Sequence, residues 1–286
     1  MQKSPVASVQ ISKVVLPASG DEPYVHEQAT DQLAMEEPLE IRIAYGDENK
    51  QQQKSISVTM CTPGHDHELA IGFLFTEGII KSNKDILNTR YFNPGKAQDN
   101  IVLVELRPGI SFDPKKIERH FYTSSSCGVC GKSSIAAVKN QFDERVPDDN
   151  IKIDASVIIE LPSSLRKQQE VFEYTGGLHA SALFDRSGNL LLAREDVGRH
   201  NALDKLAGAS LISNNLPLNE HILLLSGRAS FELVQKAAMA GIRVICAVGA
   251  PSSLAVEMAI DLDITLIGFL RDKRFNIYSG AQRINL

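Results

Sequence analysis

The sequence predicts an α/β protein, with a mainly β first part followed by strands and helices that alternate around a parallel core. Two observations carry this. In the second half, the short apolar runs 222–225, 244–248 and 265–268 alternate with helical stretches at 231–239 and 253–260, which implies βαβ crossovers and strands covered on both faces. In the first half, residues 41–45 and 55–60 alternate apolar with polar on either side of a turn that starts at Gly46, the pattern of a β-hairpin with one buried face. A chain of 286 residues, 43% of them apolar, suffices for one large domain or two small ones.

The elements follow in order. Residues 1–38 are polar and rich in Ser, Gln and Pro, so an extended or partly mobile lead-in is expected. A mainly β subdomain is expected over 39–122. It contains the hairpin, a turn at Cys61-Thr62-Pro63-Gly64, a short apolar helix that Gly78 can terminate, and a strand at 101–106. His65 and His67, with Asp66 and Glu68, lie in a polar turn at the helix start and read as solvated caps rather than as metal ligands, so no metal site is assigned. Residues 123–143 form a cysteine loop with a short helix, and 144–286 the α/β domain. There the apolar spacing of Leu165, Val171 and Phe172 predicts a helix over 165–174. A second hairpin spans 178–184 and 190–193, and a helix covers 201–206. Cys246 lies inside an apolar strand and reads as a small buried hydrophobe; Cys61, at a strand end, reads the same way.

Composition excludes several classes of function. A net charge of −5, no Trp and no basic run interleaved with aromatics argue against nucleic acid as a partner. No stretch has the length of a membrane helix and residues 1–5 lack a hydrophobic signal segment, so a cytoplasmic protein with reduced thiols is expected, with no membrane partner.

Ser126-Cys127-Gly128-Val129-Cys130-Gly131-Lys132 is the candidate reactive segment. Its glycines leave both sulfurs unshielded, and Ser133 to Val138 reads as a helix start. Positive potential there, with Lys132 beside it, favours thiolate. A structural zinc site, a dithiol redox pair and a sulfur-carrying thiol all use such a spacing. The zinc reading lacks a second ligand pair, since Cys61 and Cys246 are isolated and the nearest His is His120.

Three turns follow strands of the second half: Ser226-Gly227-Arg228-Ala229-Ser230, Gly249 to Ser253, and Phe269-Leu270-Arg271-Asp272-Lys273-Arg274. Small residues and cations at the ends of parallel strands suit a phosphorylated, nucleotide-like ligand. The densest polar stretch, Arg194 to Lys205, reads either as a salt-bridge network or as part of a site, and His200 either as an acid or base or as a helix cap.

With these residues in view, the chain resembles the FdhD/NarQ family of formate dehydrogenase accessory sulfurtransferases. The resemblance rests on Thr62-Pro63-Gly64 with Glu68-Leu69-Ala70 and Gly72-Phe73-Leu74, the Ser-Cys-x-x-Cys-Gly segment, and Thr175-Gly176-Gly177-Leu178-His179. It continues through Glu195 to Lys205, Ser226-Gly227-Arg228, and Phe269-Leu270-Arg271 with Arg274-Phe275-Asn276. It implies a cytidine-deaminase-like α/β/α core and a persulfide on Cys127, received from a cysteine desulfurase, with Cys130 assisting its release. The acceptor it implies is the molybdenum cofactor in its bis-molybdopterin guanine dinucleotide form, held at Phe269 to Arg274 and not as a resident group, before it enters the client formate dehydrogenase. Asp272-Lys273 stand where glycine is common in the family. His200-Asn201-Ala202 and Ser226-Gly227-Arg228 stand where a deaminase would carry its zinc motifs, and they lack the catalytic Glu and both cysteines. The rivals are a dithiol oxidoreductase using the same pair and a cofactor-binding chaperone. A homodimer is expected.

Overall fold

The computed structural model describes residues 4–15, 24–47, 51–92, 100–110, 151–167 and 175–286. Cys127, Cys130, Lys132, His120 and the short helix expected after the cysteines lie outside the described residues, as do the last seven residues of the helix expected over 165–174.

The polar stretch expected to lead in as extended chain is paired on itself. Strands β1 (Val6–Val15) and β2 (Val25–Ala34) form an antiparallel ribbon. A four-stranded sheet follows, in which β3 (Glu37–Tyr45) pairs antiparallel with β4 (Gln52–Cys61) and parallel with β6 (Ile101–Leu106). Strand β5 (Ile86–Tyr91), which lacks a clear apolar alternation, forms the far edge. Helix α1 (Asp66–Thr76) connects β4 to the far side of the sheet and buries Leu69, Ala70, Leu74 and Phe75.

After the short β7 (Ile153–Asp154) comes helix α2 (Ala155–Arg166). It begins ten residues before the expected 165–174. Ile158, Leu161 and Leu165 stand at helical spacing and are buried, and they hold the helix together through Pro162, which cannot donate its backbone bond. The six-stranded sheet then assembles from β8 (His179–Phe184), β9 (Leu190–Asp196), β10 (Ile222–Leu225), β11 (Val244–Ala247), β12 (Thr265–Arg271) and β13 (Arg274–Ser279), in the order β13-β12-β11-β10-β8-β9. Only β10, β11 and β12 are mutually parallel; β8, β9 and β13 run antiparallel to their neighbours. The reason is connection length, because the turns at 185–189 and 272–273 are too short for a crossover. Helices α3 (Arg199–Ile212), α4 (Phe231–Met239) and α5 (Ser253–Asp261) complete the fold, and β14 (Ile284–Asn285) pairs parallel with β7.

The central strands are buried on both faces. Leu223 and Leu225 face a core shared with α1, α3, α4 and the four-stranded sheet, while Ile222 and Leu224 face a second core under α2 with Cys246 and Leu270. The first core therefore runs unbroken between the two halves of the chain. Its tightest point is the crossing of α1 and α3. A Cβ on Gly72 would lie 1.8 Å from the Asp204 carbonyl oxygen, and one on Gly208 would lie 1.9 Å from that of Glu68. Only hydrogen at both positions lets the backbones approach this closely.

Candidate functional site: a cavity at the carboxyl ends of the parallel strands

Strands β10 and β11 end side by side, and the turns that follow are laced together through their backbones. Val248 N donates to Leu225 O (3.0 Å), Gly249 N to Gly227 O (2.9 Å), Ser252 N to Ala229 O (3.0 Å) and Phe269 N to Gly249 O (3.0 Å). Gly249 is required here, since a Cβ would lie 2.9 Å from Arg228 Cγ and 3.1 Å from its backbone. Ser226 is held at two points, its N–H donating to Ala180 O (3.0 Å) and its Oγ accepting from Ala180 N (2.8 Å).

Beside these turns opens a cavity of about 500 Å³. It is lined by Ser226 and Val248 just beyond the strand ends, by Gly176, Gly177, Leu178 and His179 at the start of β8, and by Pro162, Leu165 and Arg166 of α2. This is where ligands bind in open α/β sheets, and the size suits a small molecule. Burial, with the positive charges of Arg199 and His200 added, lowers the His179 imidazole below its ordinary range, so it stands neutral at pH 7 and offers a lone pair.

The sequence-derived residues distribute unevenly around this cavity. Ser226 lines it, and Gly227 packs beneath the His179 ring, where a Cβ would be 3.3 Å from Nδ1. Arg228 is exposed on the next residue. The third turn is not a strand-to-helix turn. Asp272 (φ 53°) and Lys273 (φ 59°) form the left-handed centre of a hairpin between β12 and β13, which explains why glycine suits these positions. Leu270 is a core residue, whereas Phe269 is half-buried and Arg271, Asp272, Lys273 and Arg274 are exposed, with the Arg271 guanidinium 6.0 Å from the Phe269 ring. Nothing in the sequence marks Pro162, Arg166 and His179 as site residues, although all three line the cavity. The only signal at His179 is the Thr-Gly-Gly-Leu-His motif, which names no role, and for the α2 residues there is none.

The polar stretch from Arg194 to Lys205 resolves into a buried network. Lys205 Nζ lies 2.6 Å from Asp196 Oδ2 and donates to Thr62 O (2.8 Å) and Glu195 O (3.3 Å). Asp196 also accepts from Thr62 N (3.1 Å), Gly198 N (2.8 Å) and Asn201 Nδ2 (3.0 Å). Both partners are almost fully buried, and they tie the Thr62-Pro63-Gly64 turn to the start of α3. A second network places Lys236 Nζ 2.8 Å from Glu77 and 3.1 Å from both Asp204 oxygens, with Thr76 Oγ1 donating to Asp204 at 2.6 Å. Burial pulls the Lys236 amine down, but the carboxylates of Asp204 and Glu77 pull it up more strongly, and it stays charged.

His65 and His67 have other partners. His65 Nδ1 lies 3.2 Å from Glu68, which Arg194 also grips with two hydrogen bonds, and His67 packs edge-on against Tyr91. Burial would raise the Glu68 carboxyl, but the bonds from Arg194 and His65 outweigh it and hold it down at about 2. His200 offers the same nitrogen, Nε2, to Ser230 Oγ (3.3 Å) and Glu232 (2.9 Å). A catalytic triad requires base and orienter on opposite ring nitrogens, so this arrangement ties α3 to α4 instead of activating Ser230.

The described thiols are inert. Cys61 and Cys246 are fully buried; burial, with Asp196 nearby, pushes the Cys61 thiol up to about 12, and burial alone pushes Cys246 up further. No helix among the described residues is long and apolar enough to cross a membrane.

Comparison with known proteins adds identity to this geometry. The sequence model of the FdhD/NarQ family matches residues 34–285. Proteins named sulfur carrier protein FdhD are similar along nearly the whole chain. That of Streptomyces coelicolor is 47% identical over 261 residues, covering 90% of each chain. That of Thermoplasma volcanium is 48% identical over 259 residues, again 90% of each, and that of Mycobacterium tuberculosis is 46% identical over 259 residues, covering 88% of this chain and 91% of its own. Among solved structures, a candidate formate dehydrogenase accessory protein from Desulfotalea psychrophila superposes with a TM-score of 0.69. It is 23% identical, covers 97% of this chain and 99% of its own, and shares the mixed α/β fold.

Proposed function

This chain belongs to the FdhD/NarQ family, and from that membership we propose that it is a sulfurtransferase carrying sulfur as a persulfide for the maturation of a formate dehydrogenase. The observation that supports this most directly is the state of its thiols. Of four cysteines, Cys61 and Cys246 are buried and held protonated. Sulfur chemistry is thereby left to Cys127 and Cys130.

In the proposed reaction, the Cys127 thiolate attacks the outer sulfur of a cysteine desulfurase persulfide. The S–S bond of the donor breaks, the donor thiolate leaves, and Cys127 holds the sulfane sulfur with no net oxidation. The acceptor is the molybdenum cofactor as substrate, in its bis-molybdopterin guanine dinucleotide form. On delivery, the Cys130 thiolate can attack the inner sulfur: the S–S bond of the Cys127 persulfide breaks, the Cys127–Cys130 disulfide forms, and the outer sulfur leaves as sulfide. The cavity suits one guanine nucleotide end of the acceptor, with Ser226, Arg166 and the amides beside His179 as its contacts, and Arg228, Arg271, Lys273 and Arg274 as outer cations for phosphate. The rest of so large an acceptor extends beyond a space of about 500 Å³.

We read the second half of the chain as a deaminase-like core in which the start of α3 and the turn after β10 have lost metal-binding side chains, since His200-Asn201-Ala202 and Ser226 to Ser230 supply no thiolate. The setting proposed is the cytoplasm, where thiols are kept reduced.

The test is intact mass and peptide mapping after incubation with a cysteine desulfurase and cysteine. One sulfur gained on Cys127, removable by reductant and lost in Cys127→Ala, is the expected result. Ser226→Phe, which fills the cavity, should abolish guanosine diphosphate binding and leave this loading intact. Loss of two hydrogens across Cys127 and Cys130 as the only change would replace the carrier by an oxidoreductase. No change at all would favour a cofactor-binding chaperone.

A further inference from the structure

A second cavity, of about 330 Å³, opens where α1, α3 and α4 end. Pro217 and Gly241 lead from it towards β10 and β11, so it lies at the opposite end of the parallel strands from the first cavity. Its body is apolar. Phe75, Leu211 and Met239 are core side chains of the three helices, and Leu216 and Pro217 join them from the segment after α3. Backbone bonds fix these walls: Ile79 N donates to Leu74 O (2.8 Å), Asn214 N to Leu211 O (3.0 Å), Leu218 N to Ala240 O (2.9 Å) and Gly241 N to Ala238 O (2.8 Å). Gly241 has φ 81°, and a Cβ there would lie 2.6 Å from Pro217 Cβ. A space framed in this way is formed before any ligand arrives, and its volume is at the lower end of small-molecule sites, which run from about 300 to 1,000 Å³. The polar lining divides into groups that are used and groups that are free. Asn83 Nδ2 donates to Ile212 O (3.5 Å) and Ser82 Oγ to Asp85 (3.3 Å), while Asp85 accepts from the backbone N–H groups of Lys81 (2.6 Å) and Ser82 (3.1 Å). Lys81 and Asn214 are exposed at the rim, and neither side chain has a hydrogen-bond or charge partner among the described residues.

We propose that this cavity binds a small amphipathic monocarboxylate, its alkyl or aryl body among Phe75, Leu211, Leu216 and Met239 and its carboxylate on Lys81 and Asn214 at the rim. Shape and charge select that class. The apolar interior favours a hydrocarbon body, whose removal from water supplies the affinity, and it offers no partner for a second polar group placed deep inside. The ammonium of Lys81 and the amide N–H groups of Asn214 are donors, so the head group they match is an acceptor, and an amine would meet a like charge. Three helices end beside the cavity, and the partial negative charge of their last turns penalises a phosphate dianion more than a carboxylate of single charge. The head group therefore sits at the mouth, next to Lys81 and partly hydrated, with the body directed inward. None of the residues involved lines the first cavity, and the inference does not rest on the sulfur-carrying function.

Isothermal titration calorimetry of the full chain with octanoate and with 4-phenylbutanoate tests this. Each acid should bind saturably at one site, and octanamide and octyl phosphate should each bind at least about threefold more weakly, the scale of one partly exposed ion pair. Lys81→Gln should weaken octanoate by about threefold and Lys81→Glu by about tenfold, because the reversal adds repulsion to the lost attraction. Leu216→Trp, which places an indole at the half-buried Leu216 position of the lining, should abolish binding, with circular dichroism to confirm that the variant is folded. Should that variant fail to fold, the two Lys81 variants, altered only at an exposed side chain, still decide the matter. Saturating guanosine diphosphate should leave the affinity for octanoate unchanged. Absence of saturable binding by either acid at millimolar concentration would overturn the proposal, as would octanamide binding as tightly as octanoate or an affinity unmoved by Lys81→Glu. Binding that survives in a folded Leu216→Trp protein, or that guanosine diphosphate displaces, would place the acid elsewhere and overturn it equally.

Discussion

Replacing Lys205 by Met should unfold the junction between the two halves of the chain before it affects anything else. The Lys205 side chain is 1% exposed and its ammonium serves Asp196, Thr62 O and Glu195 O. Methionine retains the stem's volume, so no large cavity opens, but the carboxylate of Asp196 loses its counter-ion with no water to replace it. Breaking a buried pair from one side costs about 3 to 5 kcal/mol. Three N–H donors remain on Asp196, from Thr62, Gly198 and Asn201, which places the expected loss near the lower end, at about 3 kcal/mol. Urea unfolding should show this as a midpoint lowered by about 1 M or more with an unchanged slope. Because the cost lies in the orphaned charge, Asp196→Asn/Lys205→Met should be less destabilised than the two single variants summed, by about 1 to 3 kcal/mol. A Lys205→Met protein within about 1 kcal/mol of wild type would refute the reasoning. A variant of normal stability that cannot carry sulfur would place the pair in the functional site instead.

Two other perturbations probe the same junction. Gly208→Ala pushes a methyl to 1.9 Å from the Glu68 carbonyl oxygen, so α1 and α3 must separate, and thermal unfolding should register a loss of at least about 2 kcal/mol; unchanged stability would mean the crossing is looser than described. Glu68 is held at about 2, below its ordinary 4.5, so its contribution is fully present above pH 4.5 and is lost as pH falls towards 2. Its side chain is 20% exposed, and after solvent screening the effect should be about 1 kcal/mol, seen as an acid-side decline in urea midpoint that Glu68→Gln removes.

The parts of the fold legible in the sequence are those whose signal is local. Strands β10, β11 and β12 are unbroken apolar runs because both faces are buried, and such runs need no knowledge of their neighbours to be read. The spacing of Leu165, Val171 and Phe172 draws the expected helix to 165–174, whereas Ile158, Leu161 and Leu165 carry α2, their apolar contacts outweighing the bond that Pro162 cannot donate. The ribbon was hidden by its composition. Ser, Gln and Thr interspersed with Val and Leu give no clean alternation, and only the pairing register shows the two strands.

The sequence by itself determined the family, the mixed α/β class and the presence of a paired-cysteine segment, since each rests on residues close together in the chain. The tertiary structure decided what the polar motifs do. Thr62 and Lys205, 143 positions apart, meet as a buried bond that welds the halves, and Ser226 meets His179 and α2 around a cavity to which no single stretch points. The physical reason is that a buried charge or an open cavity is defined by the groups that surround it. Those groups arrive from distant elements only once the sheet and its helices have packed.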